Sequence, residues 1–332
     1  MATIGNRQIE NMTERVLVLE GIHNFRDCGG YAVNGGGRLR RGQLWRSGQH
    51  HGATDSDLAA IDRLGLASVF DLRTSKERGT HPCRRPQDFA AQVFFADDPV
   101  LNHAPHIAAA QAPRQRTAES TREGLVKNYG RMPFRPELQA MIRRYLATMA
   151  DGEGPSLVNC MAGKDRTGIA VAMLHLALGV HRDDVIEDYL LTNTAGDPEA
   201  RIASGAATIR AITGQLDDAV LRVLMGVEAE YLETALAAVV EGHGSIDRYL
   251  AWVRMPHCGK DCVRHWWSDG SLHRPPRRPC GMRRFRPETS SRPPRTGRTG
   301  RGAASGRRSR IRRVARSGNG PSVHPARGTK RS

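Results

Sequence analysis

Cys160 and Arg166, a cysteine and an arginine six positions apart, are the pair in this chain best suited to covalent chemistry. They enclose Met161-Ala162-Gly163-Lys164-Asp165 and are followed by Thr167-Gly168. The thiolate of a cysteine is the nucleophile; an ordinary thiol ionises only near pH ~8.5. A guanidinium presents a planar fork that can hold two oxygens of one phosphate. A thiolate beside such a fork can attack a bound phosphoryl group, and the same fork can stabilise the charge on its equatorial oxygens. A buried structural cysteine is the commoner fate of a lone Cys, but the arginine, glycine, lysine and Thr-Gly around this one argue against it.

The flanking residues say how the pair is positioned. Ser156-Leu157-Val158 is a short apolar run that reads as the end of a buried strand, and residues 169–179 read as an Ala- and Leu-rich helix closed by Gly179. A strand-loop-helix turn points its backbone N–H groups and helix N-terminus at one spot, which is an anion site. Those dipoles and Arg166 favour the thiolate over the thiol. Backbone amides from Met161, Ala162, Gly163, Lys164 and Thr167 are the expected phosphate donors. Gly163 lets the backbone come close to the ligand. A hydroxyl from Thr167 or Ser47 is expected to ease departure of the sulfur in a second step.

Cys, five residues, Arg and Thr-Gly resemble the signature of the cysteine-dependent protein tyrosine phosphatases. The fuller Cys160–Gly168 segment resembles the atypical bacterial branch of mycobacterial type B, the tyrosine and phosphoinositide phosphatases. Asn24-Phe25-Arg26-Asp27-Cys28-Gly29-Gly30-Tyr31, Leu44-Trp45-Arg46-Ser47-Gly48, Val69-Phe70-Asp71-Leu72-Arg73 and Asp188-Tyr189-Leu190-Leu191-Thr192-Asn193 match it in the same order. The resemblance spans roughly residues 15–250. It implies a phosphatase acting on phosphotyrosine, with phosphoserine, phosphothreonine or phosphoinositides as further substrates, through a phosphocysteine and without metal or other cofactor. It also implies that residues 24–27 pack beneath the cysteine loop. The branch usually carries His before the cysteine, where this chain has Asn159.

The leaving group needs a proton, so a carboxylic acid should stand within hydrogen-bond reach of the bridging oxygen. Asp71, Asp97, Asp98 and Asp165 are the candidates. Asp165 lies inside the loop itself, and spacing does not choose among the four. In the superfamily a lysine at the position of Lys164 accompanies action on inositol phospholipids, where it would bind an added anion; a surface lysine giving a general positive field is the alternative. Arg26 and Asp27 read as an ion pair that shapes their loop.

The rest of the chain supplies a βαβ rhythm. Strands are expected at residues 15–20, 39–45, 67–73 and 93–96, with a helix at 54–64 behind a Thr54 N-cap. Further helices are expected at 119–132, after Pro136, and at 183–194, 200–212, 219–225 and 228–241. The expected fold class is α/β, a central mostly parallel sheet flanked by helices of protein tyrosine phosphatase type, with a helical lid or insertion. Residues 104–116 read as a loop or weak helix over the site. Asp71, Arg73 and Cys160 then sit at carboxyl ends of strands, where such folds bind ligands.

Net charge is +16, but it is unevenly placed. Residues 256–332 carry 21 Lys and Arg against 3 Asp and Glu, while residues 1–255 carry 29 against 31. A near-neutral catalytic domain over 1–255 is therefore followed by an Arg-, Pro- and Gly-rich tail that reads as disordered. The break in pattern at Trp252–Pro256 points to a frameshift; the rival is a basic arm for nucleic acid or anionic lipid. Nucleic acid is otherwise not expected as a partner, and oligomeric state is not legible. Cys28, Cys83, Cys160, Cys258, Cys262 and Cys280 form no disulfide framework and suit a reducing compartment. His257-Cys258 and Cys262-His265 are too close together for a zinc site without a second half. There is no membrane-span run, and residues 1–14 lack a signal-peptide core. A cytoplasmic enzyme, or one exported without such a peptide, is expected. The functional alternative is a catalytically weak phosphate-binding module, or a nucleic-acid binder acting through the tail.

Overall fold

The structure is a computed structural model that describes residues 15–96, 117–152, 154–213, 216–253 and 267–268. The strands are β1 (Arg26–Asp27), β2 (Arg38–Leu39), β3 (Leu44–Ser47), β4 (Ser68–Asp71), β5 (Gln92–Phe95), β6 (Ser156–Asn159) and β7 (Trp267–Ser268). Five of them form one sheet in the order β1-β3-β6-β4-β5. β1 runs antiparallel to β3, and every other neighbouring pair in that sheet is parallel. This is the mostly parallel α/β architecture expected.

Register is what builds the site. Ser47 pairs with Asn159, Asn159 with Asp71, and Asp71 with Phe95. The last residues of β3, β6, β4 and β5 therefore stand abreast, and the loops that follow leave from one edge. Adjacent residues of the inner strands face opposite sides. Phe70 and Val158 join the larger core, while Val69 and Leu157 join a second one with Phe25 and Ile61. Burial on both faces explains why these strands read as continuous apolar runs.

The described residues form ten α-helices. They are α1 (Asp55–Asp62), α2 (Ser75–Thr80), α3 (Ala118–Arg131), α4 (Pro136–Asp151), α5 (Asp165–Ala177), α6 (Arg182–Leu190), α7 (Pro198–Thr213), α8 (Asp218–Met225), α9 (Ala229–His243) and α10 (Ile246–Trp252). Thr54 does cap α1, in a reciprocal pairing with Asp57. Helix α5 is buried from Asp165 through His175, so it shows no polar face and its small alanines let neighbours come close. Helices α7 and α8 pack on one another through Ile209, Val220, Leu221, Leu224 and Met225, a small core of their own. They are the helical insertion.

Three expectations need correction. The strand at 15–20 is reduced to a single bridge, Val16 to Arg26, because the N–H groups of Glu20 and Gly21 turn away to the carboxylate of Asp57. The strand at 39–45 is broken into β2 and β3, with the Gly42 N–H drawn to Asp27 Oδ2 at 2.7 Å. Helix α2 was not anticipated. Residues 97–116 and the tail, β7 excepted, lie outside the described residues; so do Asp97, Asp98, the expected site cover at 104–116 and the Cys/His cluster at 257–265.

Candidate active site

Cys160 follows β6 directly and is buried, with a relative exposure of 2%. The loop after it is held from outside by its carbonyls. Met161 O accepts from Gln49 N at 3.0 Å. Gly163 O accepts from Asn24 Nδ2 at 2.8 Å and from Arg46 Nη2 at 3.0 Å, and Ala162 O lies 3.4 Å from the same Asn24 nitrogen. Among the described residues no protein group takes the N–H of Met161, Ala162, Gly163 or Lys164. In a peptide unit C=O and N–H point in opposite directions. Carbonyls drawn outward leave the amides facing into the loop.

Gly163 adopts φ +67°, and a Cβ there would lie 2.4 Å from the Ser47 carbonyl carbon and oxygen. Its lack of a side chain lets the loop lie on the end of β3. The sequence-level reason, close approach to a ligand, is thus joined by a close approach to the protein's own backbone.

Arg166 stands in the first turn of α5 and uses one end of its guanidinium on the protein. Nη1 donates to Leu72 O at 2.9 Å and to Glu77 Oε2 at 2.7 Å, and Nη2 donates to Glu77 Oε1 at 2.9 Å. Nε is buried with no partner. The Nε edge, shared with the second N–H of Nη2, is the edge left for a ligand. Burial works against the charge on Arg166, but Glu77 and then the Cys160 sulfur outweigh it and hold the guanidinium above its ordinary range. Glu77 is positioned by its own helix: Thr74 caps α2, and Glu77 Oε2 accepts the Thr74 N–H at 2.7 Å.

Beneath the loop lies a buried ionic cluster. Arg46 Nη1 meets Asp188 Oδ2 at 2.7 Å, and Arg26 Nε lies 3.7 Å from Asp188 Oδ1. Arg26 also donates to Asn24 Oδ1 and, at 2.8 Å, to Asp188 O. Burial opposes the Asp188 charge, yet Arg26 and Arg46 hold its carboxyl well below the usual range. Burial and then repulsion from Arg46 bring Arg26 down to about 10. The expected Arg26–Asp27 ion pair is not formed. Asp27 instead accepts the N–H groups of Gly29 and Gly42, each at 2.7 Å.

Asp165 and Lys164 are both buried and joined, Nζ to Oδ1, at 2.9 Å. Tyr129 donates to the same oxygen at 2.7 Å, and Tyr189 donates to Tyr129. Burial first, and Asp165 next, hold the Tyr129 phenol well above its usual range, so it remains a donor. Lys164 is not a surface lysine: its exposure is 0% and Nζ also donates to Gly226 O at 3.1 Å. Asp71 has both oxygens on Arg73, at 2.7 Å to Nη2 and 2.9 Å to Nε. Asn159 Nδ2 lies 3.5 Å from Asp71, and its Oδ1 has no partner.

Ser47 is occupied. Its hydroxyl donates to Gly48 O at 2.8 Å and meets His50 Nε2 at 2.9 Å. Arg85 donates to His50 Nδ1, which assigns the proton to Nε2 and makes Ser47 Oγ its acceptor. The Thr167 hydroxyl is buried without a partner. Among the described residues no group of three or more His, Cys, Asp or Glu has metal-site geometry. No helix among them is long and apolar enough to cross a membrane.

Over residues 17–254 the sequence matches the tyrosine phosphatase family. The chain belongs to that family. A Cupriavidus necator protein named as a tyrosine-protein phosphatase is 34% identical over 236 residues, covering 70% of this chain and 82% of the relative. The triple specificity protein phosphatase PtpB of Mycobacterium tuberculosis is 32% identical over 266 residues, covering 71% of this chain and 92% of the relative. The resemblance drawn from the motifs is thereby confirmed, and the chain is a protein-tyrosine phosphatase. In this tyrosine phosphatase the loop's supports Glu77, Tyr129 and Asp188 were not singled out by chemistry in the sequence. Thr74-Ser75-Lys76-Glu77 does carry the capping-box pattern that betrays α2. Nothing local marks Tyr129, and Asp188 stands out only as the first residue of a motif in the resemblance; their partners lie 36 and 142 residues away.

Proposed function

We propose that Cys160 performs phosphotyrosine hydrolysis through a phosphocysteine intermediate. Its thiolate attacks phosphorus in line with the ester oxygen; the S–P bond forms as the P–O bond breaks. The inward amides of residues 162–164 and the Nε edge of Arg166 hold the equatorial oxygens. The departing oxygen takes a proton from a carboxylic acid. Asp165 is our assignment, since it stands in the loop itself, where Lys164 and Tyr129 fix its position. Water then attacks phosphorus, releasing inorganic phosphate and the thiolate. Thr167, whose hydroxyl is buried and unpartnered, is assigned to the departing sulfur in place of Ser47.

The observation that carries this reading is the division of Arg166, with Nη1 and Nη2 on Glu77 and Nε left without a partner. The test is turnover of p-nitrophenyl phosphate with chelator present. The wild type should release p-nitrophenol, and Cys160→Ser should not while still binding phosphate. No turnover by the wild type would favour a phosphate-binding module instead.

Breadth beyond phosphotyrosine, to phosphoserine, phosphothreonine and phosphoinositides, is supported by the relative named for triple specificity. Buried as it is between Asp165 and Gly226 O, Lys164 acts on any such substrate by holding the loop's field rather than by reaching out.

A further inference from the structure

Beside the loop lies a cavity of about 310 Å³, lined by Met161 and Ala162 of the loop, by Arg201 of α7 and by His23, His51 and His81. Arg201 has only 3% of its surface exposed. Its Nη1 donates to Met225 O, and its Nε has no partner. Other buried arginines are differently placed. Arg26, Arg46, Arg73 and Arg166 each have a carboxylate within 4 Å, and Arg15 lies over the ring of Tyr31. Among the described residues Arg201 has neither. The charges of Asp165 and Glu199 reach it only at longer range and do not offset its burial. A buried cation without a counter-ion is expensive to maintain, and one that lines a cavity is a site for an anion.

We propose that this cavity is a second anion subsite centred on Arg201, which holds a phosphate dianion next to the one bound at Cys160. The imidazoles of His23 and His81 serve as further donors, while His51 spends its Nδ1 proton on Pro82 O. Met161 and Ala162 directly follow the nucleophile, so the two anions are close neighbours. The ligand chemistry is a second phosphate monoester on the same substrate, or free inorganic phosphate. The proposal builds on the reading of Cys160 as the phosphoryl acceptor, but its binding arm is measured without turnover.

That arm is calorimetric titration of Cys160→Ser with inorganic phosphate. Two sites are expected, falling to one when Arg201→Gln is added. In the kinetic arm, the kcat/KM of a bisphosphorylated inositol is compared with that of p-nitrophenyl phosphate. The ratio should fall at least tenfold in Arg201→Gln and be partly restored in Arg201→Lys. Ser204→Asp, which places a negative charge on the exposed wall of the same cavity, should repeat the loss if Arg201→Gln melts early. Two sites with a ratio unaffected by these variants would assign the subsite to free phosphate. One site in both titrated chains, with an unaffected ratio, would overturn the proposal. Absence of turnover by the wild type would defeat the Cys160 reading and leave the titration to decide the subsite.

Discussion

Arg166 and Glu77 face each other end-on, with Nη1 and Nη2 at 2.7 and 2.9 Å from the two carboxylate oxygens. The pair fixes the plane of the guanidinium, and with it the direction of the edge offered to phosphate. Glu77→Gln keeps the size of the side chain and loses one of the two acceptors and the charge. Misplacement of a positioning group by about 1 Å can cost ~100-fold in rate. A fall in kcat/KM for p-nitrophenyl phosphate of about 10- to 100-fold is therefore expected, with weaker inhibition by phosphate. Unchanged steady-state kinetics would mean that Arg166 is held without Glu77.

The two described candidates for proton donor can be separated by the leaving group. A poor leaving group such as phenol needs the proton, and a nitrophenol needs it far less. Asp165→Asn should lower kcat for phenyl phosphate much more, by about 10-fold or beyond, than for p-nitrophenyl phosphate. Asp71→Asn removes half of the grip on Arg73 and should affect both substrates alike. A leaving-group effect that follows Asp71 would reverse the assignment.

What the sequence made legible is what local order encodes. Thr54 announced its helix because a cap needs only the next few residues, and Cys160, Gly163 and Arg166 sit in one turn whose spacing is its geometry. Parallel strands with apolar runs gave the sheet. The supports were hidden because they are long-range: Asp188 gathers Arg26 and Arg46 from β1 and β3 across 162 and 142 residues. Arg26 and Asp27, neighbours in sequence, were paired on proximity, yet adjacent residues of a strand point to opposite faces. Arg26 turns to Asp188 and Asp27 to backbone N–H groups. Helix α2 escaped notice because six residues leave no periodicity, only the capping pattern.

Asp188 neutralises two arginines that have no exposed surface. Asp188→Ala would leave both guanidiniums buried without their counter-ion and loosen Arg46, one of the two donors to Gly163 O. Removing one partner of a buried ion pair typically destabilises by about 3–5 kcal/mol. Urea unfolding should show a loss of that order and an inactive enzyme. A loss under about 1 kcal/mol would show that water reaches the cluster.

Stability should also fall with acid as two buried histidines titrate. His50 is held well below its ordinary range by burial, then by Arg85 and Arg73, and His175 is lowered by burial that Asp188 only partly offsets. Both are neutral in the folded protein, and the unfolded chain binds their protons first. Stability is thus fully present above about pH 6.5 and declines below it, by up to about 1.4 kcal/mol per pH unit for each histidine. Denaturation midpoints between pH 8 and 5 should trace this decline. His50→Gln and His175→Gln should each flatten it, and a midpoint that held steady or rose on acidification would contradict the assignment.

Gly163 and Gly65 allow strain to be separated from collision. Both have positive φ, +67° and +58°, but a Cβ on Gly65 meets nothing within 4 Å. Gly65→Ala should lose only the left-handed penalty, roughly 1–2 kcal/mol, and keep its activity. At Gly163 the methyl group would sit 2.4 Å from Ser47 backbone atoms and 2.5 Å from Gly48 N. Backbone cannot rotate aside as a side chain does, so the loop itself must lift from β3. That movement breaks the bonds from Asn24 and Arg46 to Gly163 O and turns the inward amides away from phosphate. Gly163→Ala should therefore lose at least 100-fold in kcat/KM, well out of proportion to its melting shift relative to Gly65→Ala. Equal effects at the two glycines would mean that φ alone matters and that the contact with β3 does not hold the loop.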